Sequence, residues 1–138
     1  MNKSAEPSRP AQHEGALTVA EMSAVTGVSA HTLRYWEGEG LLRAVARSAG
    51  NHRLYSPADV EWVRFLVRLR ETGMPIAAMR EYAGLRAQGD VTLGPRLRLL
   101  EQHRDRLCER IAELKRHEDA LERKIAIYHE SLRQKGKS

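Results

Sequence analysis

Residues 17–42 read LTVAEMSAVTGVSAHTLRYWEGEGLL, and the punctuation inside them decides the fold. Thr18 followed three residues later by Glu21 is a capping box, in which each side chain satisfies a backbone N–H at a helix start. Leu17 and Met22 stand at the flanking hydrophobic-staple positions. The helix runs to about Thr26, where Gly27 can take the left-handed conformation that ends helices. Only Val28 separates this glycine from Ser29, a second N-cap. The helix it opens, Ala30 to about Glu39, carries Leu33 and Trp36 three residues apart, enough for one buried stripe. Two short helices joined by a tight glycine turn make a helix-turn-helix. A bare helix pair with no role on DNA would look the same up to this point.

Outward from this pair the pattern changes twice. Between Leu41 and Tyr55, residues alternate on both sides of a Gly50-Asn51 turn, which predicts a short β-hairpin. Arg43, Val45 and Arg47 precede the turn, and His52-Arg53-Leu54-Tyr55 follow it. Such a hairpin is only marginally stable alone and must lean on the helices. Ser56-Pro57-Ala58-Asp59 then starts a third helix, with Ser56 as N-cap, Pro57 at its first position and Asp59 at its third. Val60, Trp62, Val63, Phe65, Leu66, Val67 and Leu69 make it apolar around most of its circumference, so it is expected at the centre of the core, with Trp62 and Phe65 as packing residues. It ends at Thr72-Gly73, and Pro75 opens a fourth helix carrying Ile76, Met79 and Tyr82.

After Gly89-Asp90 comes the longest pattern. Alternating steps of four and three from Leu93 reach twelve positions, ten of them apolar, including Leu100, Leu107, Ile111, Leu114, Leu121, Ile125 and Leu132. Arg104 and Glu118 are the exceptions. A heptad seam of this length indicates a coiled coil. From Pro95 to Leu132 the helix would span about 57 Å at roughly 1.5 Å per residue, and alone it would leave its stripe wet. A second copy of the same chain is the simplest partner. Arg104 and Glu118 lie symmetrically about Ile111, so in an antiparallel dimer centred there Arg104 of one chain would meet Glu118 of the other. Such a pair fixes register and orientation.

Composition bounds the function. The chain has 138 residues, a formal net charge of +5, 5% aromatic residues and one cysteine. That length allows one domain and an added element. Residues 16–91 hold nine basic and eight acidic side chains, while 92–138 hold twelve and eight. Bulk charge therefore does not mark the helix-turn-helix as a nucleic-acid module, and placement must. The segment 29–53 supplies it, with Arg34, Arg43, Arg47 and Arg53 against Glu37 and Glu39, plus His31 and His52. No apolar run is long enough to span a membrane, and residues 1–15 lack the apolar region of a secretory signal. They mix Pro, Ser, Glu, Gln and Gly and read as a disordered tail. Cys108, alone, excludes an internal disulfide framework and a cysteine zinc cluster. It is the one candidate redox residue, although a mid-helix cysteine ordinarily acts as a small hydrophobe. No cofactor and no metal set are expected, since His103, His117 and His129 share no face at ligand spacing. No Gly-rich phosphate loop or nucleophile–base grouping suggests an enzyme. A cytoplasmic protein is expected.

LTVAEMSAVTGVSAHTLRYWEGEGLL, followed by NHRLYSPADVEWVRFLVRLRETGMPIAAMREY at 51–82, resembles the DNA-binding domain of the MerR family of bacterial transcription regulators. TLRYWE and RLYSPADV are the most diagnostic pieces, and the resemblance with the long helix covers about residues 16–132. It implies a mainly α fold: a winged helix-turn-helix DNA-binding domain at 16–90, then a long antiparallel coiled-coil dimerisation helix at 92–132 and a basic frayed tail at 133–138. The helix from Ala30 would enter the major groove. Arg34 and Tyr35 match family positions that touch DNA, and Trp36 occupies the second aromatic position, where core packing is an equal alternative. Thr18 offers a hydroxyl and a helix N-terminus to a phosphate. Arg53 and Tyr55 match the wing's R-x-Y pattern, with Tyr55 also able to pack against Val60. Arg43 and Arg47 would grip the backbone beside it, and His31 stands where relatives often have Arg. The implied partners are double-stranded promoter DNA, a second copy of the chain, RNA polymerase at the promoter, and an effector the sequence does not name. The implied mechanism is distortion of an over-long promoter spacer. Relatives that sense thiols or aldehydes carry a cysteine near the start of the helix after the wing, where this chain has Ser56-Pro57-Ala58-Asp59. A DNA architectural or excision-type factor with a winged helix is the alternative function.

Overall fold

The computed structural model describes residues 15–43, 46–50 and 52–137. The expected disordered tail, apart from Gly15, lies outside them, as do Val45 and Asn51 of the hairpin. Helix α1, Val19–Thr26, starts on the capping box: Thr18 N donates to Glu21 Oε1 at 2.8 Å and Glu21 N to Thr18 Oγ1 at 3.1 Å. Gly27 closes it at φ 76°, its N–H on Ser23 O at 2.8 Å. That φ lies in the left-handed region, which glycine reaches without a Cβ clash. Helix α2, Ala30–Gly38, is capped by Ser29, whose Oγ accepts Thr32 N at 3.1 Å. It buries Leu33 and Trp36.

The end of α2 sets the course of everything after it. Gly40, at φ 81°, donates to Glu37 O at 3.2 Å, while Leu41 N reaches back to Trp36 O at 2.9 Å. This is a Schellman motif. It turns Leu41 and Leu42 into the core, where both are buried, and launches the chain toward the wing.

The wing pairs β1, Ala46–Arg47, with β2, Arg53–Leu54, in antiparallel register, Ala46 opposite Leu54 and Arg47 opposite Arg53. Two-residue strands need outside support. One brace is a bridge between Leu17 and Tyr55, with N···O distances of 2.7 and 2.8 Å. Another is the Arg53 Nε–Glu37 Oε1 ion pair at 2.8 Å, tying β2 to α2.

Helix α3, Pro57–Glu71, opens with the Ser56/Asp59 capping box and Pro57 at its first position. It is the central element of the core, burying Trp62, Val63, Leu66 and Leu69, and α1 packs on it. Helix α4, Ile76–Ala87, follows the turn at Gly73 and buries Met79, Tyr82 and Ala83. Trp62, Phe65 and Tyr82 form an aromatic cluster with centroids 5.7–6.2 Å apart. The indole N–H of Trp62 is satisfied by Leu41 O at 2.8 Å. The packing role expected of Trp62 and Phe65 is the one observed.

A 3-10 turn, Asp90–Thr92, leads into α5, Leu93–Lys137, 45 residues long or about 67 Å. Pro95 sits in its first turn, where a missing N–H costs no helical bond. The described residues form two compact units, one ending at Arg96 and one beginning at Leu97. In the second, the seam residues Ile111, Leu114, Leu121, Ile125 and Leu132 are exposed.

The expected fraying is corrected for 133–137, where α5 is helical through Lys137, and Ser138 lies outside the described residues. Glu130 accepts from Arg133 and, at 2.6 Å, from Gln134, one turn onward. Lys135 and Lys137 place positive charge at the helix C-terminus, where the backbone dipole favours it. Among the described residues no helix is long and apolar enough to cross a membrane.

Candidate nucleic-acid interface

Because Leu33 and Trp36 face inward, α2 turns His31, Arg34 and Tyr35 outward, and all three are exposed, Tyr35 by 50%. These positions are spaced three and four apart and share one helical face. Next to this face lies a cleft of about 410 Å³, lined by Thr18, Val19, Ala20, Arg34, Arg47, His52 and Arg53. Three elements meet there: the first turn of α1, the exposed side of α2, and the wing. Three guanidiniums and an imidazole line the cleft without a carboxylate among them.

The N-terminus of α1 adds to this field. Its first backbone N–H groups have no helical acceptor and carry the positive end of the helix dipole. Thr18 Oγ1 accepts Glu21 N within the capping box, which leaves the hydroxyl proton to donate. Both acids of the 29–53 segment are turned to structural use, Glu37 holding Arg53 and Glu39 pairing with Arg80. At the cleft Arg34 and Arg47 are exposed, while Arg53 is half-buried and held by Glu37. Hydroxyl, backbone amides and guanidiniums on a concave surface suit phosphate oxygens.

Beneath the cleft is a buried polar knot. Tyr55 is fully buried and its hydroxyl has no hydrogen-bond partner, nor does Glu37 Oε2. Burial, and after it the Glu37 carboxylate, pushes the Tyr55 hydroxyl above its usual value near 10, against the opposing charges of Arg53 and Arg34. Through its other oxygen, Oε1, Glu37 holds the wing arginine Arg53.

The family model for MerR HTH family regulatory proteins matches residues 17–84, and that for MerR DNA binding matches 60–124. An uncharacterized HTH-type transcriptional regulator of Haemophilus influenzae is 37% identical over 114 residues, 83% of this chain and 84% of its own. The chain belongs to the MerR family. It is a DNA-binding transcriptional regulator of MerR type, with a mainly helical fold and a long C-terminal helix. Two solved MerR structures share its fold. HiNmlR, a regulator lacking the sensor domain and bound to promoter DNA, has TM-score 0.75 and 36% identity, over 83% of this chain and 91% of its own. A MerR family regulator from Listeria monocytogenes has TM-score 0.78 and 35% identity, over 81% and 85%.

Within this MerR-type domain the sequence-derived residues divide. Thr18, Arg34, Arg47 and Arg53 converge on the cleft. His31 and Tyr35 lie on the exposed face of α2 without lining it. Arg43 is carried elsewhere, to a second cavity beside Trp62 and Arg86, because the Schellman turn points Leu41 and Leu42 inward first. Two candidates are corrected. Trp36 is 2% exposed and Tyr55 0%, so neither ring presents a surface to DNA. Trp36 belongs to the core stripe of α2 and carries Arg70 over its ring at 5.4 Å. Tyr55 is drawn under the wing by its backbone pairing with Leu17. The sequence places His52 and Glu37 in the 29–53 segment but gives neither a role at the site. The first was visible as a basic residue flanking the hairpin turn, the second as an acid within an arginine-rich stretch. On α5, Cys108 is exposed beside Leu107, and Arg104 contacts the neighbouring Asp105 at 3.2 Å.

Proposed function

We propose that this MerR-type regulator binds promoter DNA as a homodimer and controls transcription by distorting the spacer between promoter elements. The convergence of Thr18, Arg34, Arg47 and Arg53 on one cleft without carboxylates carries this reading. In it, residues 16–90 form the DNA-binding domain and 92–132 the dimerisation helix. The exposed face of α2 enters the major groove with His31, Arg34 and Tyr35. Thr18, Arg47, His52 and Arg53 hold the flanking phosphates, with Arg43 a more distant backbone contact. The apolar seam of α5, exposed at Ile111, Leu114, Leu121 and Ile125, supports dimerisation; Leu100 and Leu107 extend it, and Arg104 faces Glu118 of the other chain. Bending or untwisting DNA costs on the order of several kcal/mol, which paired cationic clefts at a fixed separation can offset. RNA polymerase then meets realigned promoter elements, and the compartment is the bacterial cytoplasm. HiNmlR, solved on promoter DNA, supports the choice of ligand.

A footprint tests this. Sites are first selected from random duplex DNA by the chain itself and then mapped to promoters. Symmetric protection between the two promoter elements is expected. Protection outside promoters, accompanied by bending, would favour the architectural alternative and overturn the regulator.

A further inference from the structure

A second cavity, of about 370 Å³, lies wholly within the first unit, and of its lining residues only Arg43 has a part in the DNA-binding reading. Its walls come from the loop after α2, the last turns of α4, and the start of α5. It shares no lining residue with the cationic cleft. Its volume falls within the range of about 300–1,000 Å³ typical of small-molecule sites.

The lining has a definite chemistry. Arg43, Arg86 and Arg96 contribute three guanidiniums against one carboxylate, Asp90. Among the described residues none of the three is ion-paired. Arg96 is fixed by main-chain and hydroxyl contacts instead, donating through Nε to Thr92 Oγ1 at 3.1 Å and through Nη2 to Gly89 O at 3.0 Å. Arg86 lies 4.1 Å over the Trp62 ring, held by the π face. Arg86 and Arg96 are thus held in place by contacts other than ion pairs. The remaining wall is apolar, from Leu41, Ala83 and Ala87.

Gly84 supplies an independent observation. It lies inside α4, where glycine weakens a helix, yet a Cβ built on it meets nothing within 4 Å. Neither packing nor backbone conformation calls for glycine there. It lines the open cavity.

We propose that this pocket is a binding site for a small organic carboxylate, its charged end among Arg43, Arg86 and Arg96 and its apolar body against Leu41 and Ala83. Asp90 opposes further negative charge and so favours a monoanion over a polyphosphate or a tricarboxylate. The occupant would bridge the loop leaving the major-groove helix to the start of the long helix. Arg86 and Gly84, which the test alters, have no part in the DNA contacts, so carboxylate binding and DNA binding can fail separately.

The test is titration of the full ¹⁵N-labelled chain with sodium benzoate, against sodium chloride at matched ionic strength and the uncharged benzyl alcohol. Its readout is the two indole N–H resonances. Benzoate is expected to shift the Trp62 signal saturably, with a dissociation constant of about 1 mM or tighter, and to leave Trp36 in place. Benzyl alcohol should not saturate. Arg86→Gln should weaken binding about tenfold or more. Gly84→Leu, which fills the cavity, should abolish it with affinity for selected promoter DNA unchanged. A non-saturating shift, an equal response to benzyl alcohol, or indifference to Arg86→Gln would overturn the site. Arg86→Gln decides alone should Gly84→Leu fail to fold.

Discussion

Tyr55→Phe separates a buried structural hydroxyl from a DNA contact, because the two roles predict opposite outcomes. The ring is fully buried and its hydroxyl has no partner, close enough to Glu37 to feel its charge. A buried polar group without a partner costs about 1–3 kcal/mol. Phenylalanine keeps the ring and the Leu17–Tyr55 backbone pairing while removing that group, so a gain in stability of about 1 kcal/mol or more is expected. Urea unfolding at one fixed protomer concentration measures it, since association contributes to stability. The pH dependence follows the same logic. Burial raises the hydroxyl above 10 in the fold, so the neutral form is favoured there. This contribution is fully present below pH 10 and is lost as pH rises through the folded-state value. Wild type should therefore lose stability above about pH 10 more steeply than Tyr55→Phe. Affinity for selected promoter DNA should be unchanged. A destabilised variant, or one that binds DNA tenfold more weakly, would refute the assignment of Tyr55 to the interior.

Arg34→Ala should cost about 1–3 kcal/mol of DNA binding with relaxed specificity at one position, if its guanidinium reads a base, as competition with single-base variants of the site will show. Arg47→Ala should weaken all sites alike and reduce the slope of log affinity against log salt by about 1. Gly40→Ala places a Cβ on a backbone at φ 81° and should destabilise the domain by about 1–2 kcal/mol in thermal unfolding. Charge reversal at Arg104 or Glu118 alone should weaken association by about 1 kcal/mol for each of the two symmetric pairs, and the double reversal should restore it. Equal association of single and double variants, measured by sedimentation, would exclude that pairing.

Most helix starts were legible because the cause is local. Thr18 with Glu21, and Ser56 with Asp59 and Pro57, each declare a helix within four residues, and the structure forms both boxes. The seam of α5 was legible because its repeat outlasts any other pattern in the chain. What escaped depends on partners far away in sequence. The backbone bridge that buries Tyr55 is made by Leu17, and no periodicity links the two. The burial of Leu41 and Leu42 follows from the geometry of Gly40, and with it the divergence of Arg43 from Arg47. The use of Glu37 as a clamp needs α2 and the wing to be docked first. The helical C-terminus was misjudged because composition alone hides the Glu130 contacts to Arg133 and Gln134.

The most direct test is the stoichiometry on DNA. Sedimentation equilibrium of the complex with a selected promoter duplex, at micromolar protein, should give two 15.6 kDa chains per duplex, joined whether or not DNA is present. One chain per duplex, with the free protein sedimenting as a monomer, would contradict paired clefts set by the long helices.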